Sequence, residues 1–102
     1  MIYVSISDYT DDFAEDKDIA RDLRKEQIQP ALNRKEKVTI DFRNVSSATQ
    51  SFIHALISEV IRVYGIDILE EISFQNCNSR IQTIIEIVVE YVQDGIFTDD
   101  DD

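Results

Sequence analysis

The chain has little of what cross-linked or catalytic proteins depend on. Its one cysteine, Cys77, cannot form an intrachain disulfide, and a lone thiol suits a reducing compartment. Its one histidine, His54, has no second His or Cys at ligand spacing, and there is no Gly-rich phosphate loop. No third residue is identifiable to orient His54 or Cys77, so no catalytic residues, no metal and no cofactor are expected. Two glycines and one proline leave few breaks, which predicts mostly regular structure joined by short loops. Apolar runs are cut by charges well short of the roughly 20 residues a membrane helix needs, and no stretch reads as a basic-plus-apolar leader. The expectation is a cytoplasmic protein with no membrane segment.

Cations are scarce as well. Ten Lys and Arg face 21 Asp and Glu, a net charge of −11, and eight of the ten cations lie between Lys17 and Arg43. Residues 44–102 hold two basic against 11 acidic groups, a half that would repel a phosphate backbone. Nucleic acid is therefore not expected as a partner, despite the small basic cluster Arg34, Lys35 and Lys37. A basic protein surface is the more natural one. The length predicts one domain, residues 1–97, followed by the acidic run 98–102 as a solvated tail.

What is present is strong periodicity. Ile2 to Ser7 alternates Ile2, Val4 and Ile6 with polar positions and predicts a first strand, whose place at a sheet edge would let it pair with a second copy. Asp8 to Asp12 reads as an acidic turn, because its three carboxylates lack the Gly and the distal Glu of a calcium loop. Glu15 to Asn33 predicts a helix with a narrow apolar stripe, packed on an outer face of the sheet. Pro30 should kink or break it, with Gln29 biased away from helix. Lys37 to Arg43 predicts a strand with Val38, Ile40 and Phe42 on one face and Thr39, Asp41 and Arg43 on the other.

Gln50 to Tyr64 carries Ile53, Leu56, Ile57, Val60, Ile61 and Tyr64 at helical spacing, widened by Phe52, Ala55 and Val63. So broad a stripe implies a helix buried on more than one side, or one that also meets a partner. Gly65 should end it as a left-handed cap. Ile66 to Leu69 is a linker with room for a fourth strand, Glu71 to Asn76 a third strand, and Arg80 to Gln93 an Ile/Val-rich final helix closed by Gly95. The order β-α-β-α-β-α, with helical crossovers, predicts an α/β fold: a small sheet of three to four mostly parallel strands packed with about three helices.

The strand at 37–43 runs into a hydroxyl-rich loop and then a helix. Any of Ser47, Thr49 or Ser51 suits the cap, since a short side-chain oxygen accepts from an otherwise unpaired helical N–H. The positive end of that helix favours an anion or a phosphorylated side chain. A small-ligand or nucleotide sensor using this helix start is therefore one functional expectation, and His54 lies on its polar flank.

The run IDFRNVSSATQSF, the Tyr64-Gly65 pair and ISFQNCN leading into an Ile/Val-rich helix together resemble the STAS-like family of small bacterial domains, relatives of the anti-anti-sigma factors. The markers are Asp41-Phe42, Ser51-Phe52, Tyr64-Gly65, Phe74, Asn76 and Cys77, and the resemblance covers Ile2 to Val92. It implies a non-enzymatic regulatory module that docks onto a GHKL-type ATPase or kinase. It also implies a switch, phosphorylation of a hydroxyl in a turn at the helix start. That turn falls on Thr49, Gln50, Ser51 and Phe52. Gln50, which has no hydroxyl, occupies the usual acceptor position, and Phe52 replaces a glycine. The phospho-acceptor or docking residues implied are Ser47, Thr49, Gln50, Ser51 and Phe52, supported by Asp41 and His54.

Overall fold

The computed structural model describes residues 1–93. Three four-residue strands, β1 (Ile2–Ser5), β3 (Val38–Asp41) and β5 (Ile72–Gln75), form an all-parallel sheet in the order β1-β3-β5. The register aligns Tyr3 with Thr39 and Ser73, and Val4 with Ile40 and Phe74. Since side chains alternate between faces, one face carries Ile2, Val4, Val38, Ile40, Ile72 and Phe74, and the other Tyr3, Ser5, Thr39, Asp41, Ser73 and Gln75. Strands that follow one another in chain order, joined by right-handed crossovers, send their helices to the same side. Burial agrees: Val4, Val38 and Ile40 are fully covered, whereas Tyr3, Ser73 and Gln75 on the opposite face are exposed.

Four α-helices cover the apolar face: α1 (Lys17–Leu23), α2 (Gln29–Asn33), α3 (Gln50–Tyr64) and α4 (Ser79–Gln93). Helix α3 is central, lying against α1 on one flank and α4 on the other, and it buries Phe52, Ile53, Leu56, Ile57, Val60 and Ile61. Its bounds and both-sided burial agree with the sequence reading, except that Val63, expected to widen the apolar stripe, is exposed. Helix α4 buries Ile81, Ile85 and Val88 against it.

The first helical stretch departs from expectation. Asp16 caps it, its carboxylate accepting from the Asp18 N–H at 2.9 Å, so it begins at Lys17 rather than Glu15. Pro30 does not break the helix, and Gln29 stays helical at φ −63°, ψ −41°. Instead Arg24–Ile28 forms a π-helical turn, in which the Gln29 N–H reaches back five residues to the Arg24 carbonyl. Proline lacks an N–H and crowds the carbonyl four residues earlier, and the wider turn absorbs that misfit just upstream. The end of α2 is a Schellman closure, with Lys35 at φ 63°, the Lys35 N–H on Leu32 O and the Glu36 N–H on Ala31 O. The stretch packs along α3 as well as against the sheet, where Arg24–Ile28 meets β1.

The strands are also shorter and more numerous than expected. Ile6–Asp8 turns into a 3₁₀ helix, so the first strand stops at Ser5. Two two-residue strands, β2 (Phe13–Ala14) and β4 (Ser47–Ala48), pair in parallel as a second sheet within what read as loops. Ile66–Glu71 is a 3₁₀ turn and hides no fourth strand of the main sheet. Gly65 has positive φ, as expected of a cap, but its ψ of 163° is extended rather than left-handed helical. Gly95 and the acidic run 98–102 lie outside the described residues.

Candidate functional site

The carboxyl ends of the three parallel strands meet around Asp41. Both faces of β3 are buried, because side chains of β1 and β5 flank it on either edge, so Asp41 and Thr39, which alternation alone would leave in water, are covered. A buried carboxylate must be satisfied, and Asp41 is. It accepts from the Tyr3 hydroxyl, from Asn76 Nδ2 at 2.8 Å and from the Arg43 N–H at 2.9 Å. The Tyr3 bond, then the Asn76 bond, hold its carboxyl below the ordinary 3.8, against the opposing effect of burial. The same bond to Asp41 raises Tyr3 above 10.0. Asp41 thus ties β1, β3 and the turn after β5 together.

From Asp41 the chain enters the hydroxyl-rich loop, where Asn44 takes φ 68°. The loop is clamped on two sides. Ser46 donates to Asp12 O from its N–H at 2.7 Å and from its hydroxyl at 3.1 Å, and the Thr49 N–H donates to Ala14 O at 2.9 Å. Across the loop, Asn78 Nδ2 donates to Ser46 O at 2.7 Å while Asn78 Oδ1 accepts the Ile81 N–H at the start of α4. Of the three hydroxyls suited to the cap, the structure uses Thr49, which accepts from the Phe52 N–H at 3.1 Å. Thr49 and Ser47 are half-buried, Gln50 and Ser51 are exposed, and Phe52 is fully buried beneath them as an anchor of α3. His54 is half-buried one turn on, with Nδ1 3.4 Å from the Ser58 hydroxyl, which itself donates to His54 O.

Gln50, Ser51 and His54 line one wall of a groove of about 750 Å³ between α1 and α3. Lys17, Arg21 and Arg24 line the facing wall, and Arg62 lies further down α3. Four of the chain's ten cations line this groove, and among the described residues Glu59 is the one carboxylate in its lining, with Asp18 paired to Arg21 at 3.1 Å. Arg24 is half-buried: its Nη1 donates to Ala55 O at 2.8 Å, its Nε is buried without a partner, and desolvation lowers its pKa. Sequence reading missed this groove. The signal was the i, i+4, i+7 spacing of Lys17, Arg21 and Arg24, but the opposing wall is remote in sequence. In the cluster that did stand out, Arg34 pairs with Glu36 at 2.7 Å and Lys37 with Glu71 at 3.4 Å, and these exposed residues do not line the groove.

On the other side of α1, Asp8, Asp11, Glu15 and Asp16 line an acidic cleft with Tyr9 and Phe13. Among the described residues no three His, Cys, Asp or Glu are grouped to hold a metal ion, and no helix is long and apolar enough to cross a membrane.

A parallel sheet with helices on one face and a clamped helix start at its carboxyl end defines the class, a small mixed α/β domain of STAS-like build. A family model described as a STAS-like domain of unknown function (DUF4325) matches residues 20–82, well over half the chain, and the chain belongs to that family. The function of the family is unknown, and STAS-like domains are non-catalytic modules. No curated protein and no solved structure matches it.

Proposed function

We propose that the chain is a regulatory protein-interaction module that docks its partner through residues 46–54, the partner being an ATPase or kinase of the GHKL type that the family resemblance implies. One observation carries the reading. The first turn of α3 presents Gln50 and Ser51 to solvent, while the loop before it is held by bonds to Asp12, Ala14 and Asn78. A surface fixed in advance loses little entropy on binding. Phe52 supports that surface from below, and Asp41 fixes the strand end that feeds it. Ser51 is the hydroxyl a kinase reaches most readily, because Thr49 is engaged as the cap and Ser47 is half-buried. A phosphate on Ser51 would place new charge on the docking turn. The free Cys77 thiol suits the cytoplasm, where we place the module.

The test is Ser51→Glu. It should weaken partner capture from native lysate while leaving the melting temperature within about 2 °C of wild type. Equal capture by both proteins would count against the docking surface.

A second reading, a sensor of a small anion or nucleotide at the same helix start, is favoured by the basic groove that Ser51 helps to line. A thermal shift with nucleotides separates it from the first. Self-association through β1, an edge strand of the main sheet, is a further arrangement that the topology permits. Its test is a concentration-dependent mass in solution.

A further inference from the structure

The groove between α1 and α3 has a length, a sign and an arginine whose Nε has no partner among the described residues, and together these specify an occupant. Resting on the docking reading above, we infer that this groove seats an extended, carboxylate-rich segment of the partner protein, alongside the contact made by residues 46–54. Sign comes first: among the described residues, Lys17, Arg21, Arg24 and Arg62 line the groove with Glu59 as the one carboxylate in its lining, in a chain of net charge −11. Arg21 has a carboxylate of its own, Asp18 at 3.1 Å, and Arg62 has Glu59 at 2.5 Å, but these are exposed pairs on single helices, which compete weakly with an incoming anion. Arg24 is half-buried, with a carbonyl on one nitrogen and nothing on its buried Nε, so its charge is poorly compensated by the fold.

Length separates a peptide from a phosphate. Gln50 to Arg62 spans about 18 Å of helix rise along the groove, with Arg24 opposite Ala55 and Arg62 at the far end. An extended chain covers it in about six residues, with side chains turned alternately to the groove. The acidic bulk of the domain opposes such a ligand, but at physiological salt charges more than about 8 Å away are largely screened, whereas those in the groove act at contact.

The test is fluorescence anisotropy of a labelled hexapeptide of alternating Glu and Asp with the full chain at physiological salt. Binding is expected, with about ten-fold loss in Arg21→Glu and less than about two-fold loss in Lys25→Glu, an equal change of charge on an exposed residue outside the groove. No binding, or equal loss in both variants, would overturn the assignment. So would saturable binding of ATP by a protein that ignores the peptide. Peptide binding that emerges only in a chain ending at residue 97 would give the groove to the protein's own acidic run, and would overturn the partner assignment too. The two readings fail separately. Capture lost in Ser51→Glu without peptide binding keeps the docking turn and sinks the groove. Peptide binding with capture unaffected by Ser51→Glu does the reverse.

Discussion

Asp41 is the residue on which the strand ends depend, and its chemistry can be tested by pH. Three donors hold the carboxylate, so Asp41→Asn sets an amide N–H₂ against donors and should cost about 1–3 kcal/mol in denaturant unfolding. Because its folded pKa lies below 3.8, the folded state favours the charged form. The stability this supplies is present above the ordinary value and is lost as pH falls through the lowered one. Thermal midpoints should therefore decline below about pH 4, and less steeply in Asp41→Asn. Lys35 offers a change of opposite sign. A left-handed conformation costs a non-glycine residue about 1–2 kcal/mol, more than the roughly 0.5–1 kcal/mol of extra chain entropy that glycine loses. Lys35→Gly should stabilise the fold by about 0.5–1 kcal/mol in the same assay. The burial of Asp41 was not legible in the sequence. Alternation put it on the polar side of its strand, and only the central position of β3 and the remote donors Tyr3 and Asn76 cover and satisfy it.

Helix α3 is the element whose start forms the candidate site, and it was legible because everything that defines it is local. Its apolar positions recur at helical spacing, a hydroxyl precedes it and a glycine follows. Removing the cap with Thr49→Ala should cost about 1 kcal/mol, with Thr49→Ser retaining most of it, as read by chemical denaturation. Gly65→Ala meets no atom within 4 Å, so any loss is backbone strain alone, about 1–3 kcal/mol at φ 89°, ψ 163°. Elements defined by distant partners were not legible. Strands β2 and β4 are two residues each, too short for a period, and exist because Phe13–Ala14 meets Ser47–Ala48. Pro30 announced a misfit in the first helical stretch but not where it is absorbed, because a proline removes a bond without saying which neighbouring turn will widen.

At the scale of the molecule, charge and topology act together. Three parallel strands in chain order place all the helices on one face, which sets α1 beside α3 and gathers into one groove cations that the sequence separates. The charge census found where the cations lie in the chain, but their convergence is a property of packing. The same packing brings the acidic Asp8–Asp12 segment against the hydroxyl loop, so the domain carries an acidic cleft and a basic groove on opposite sides of α1. On the opposite face of the sheet Tyr3 is 60% exposed, with its hydroxyl on the buried Asp41.

The claim at the centre is that residues 46–54 meet a partner. The most direct measurement places a photo-crosslinking side chain at position 51 and, separately, at position 87, an exposed site on α4. Each protein is irradiated in native lysate and its adducts are identified by mass spectrometry. One defined protein adduct from position 51 and none of that mass from position 87 is the expected result. An adduct from 87 alone, or none from 51 in a folded protein, would contradict the account.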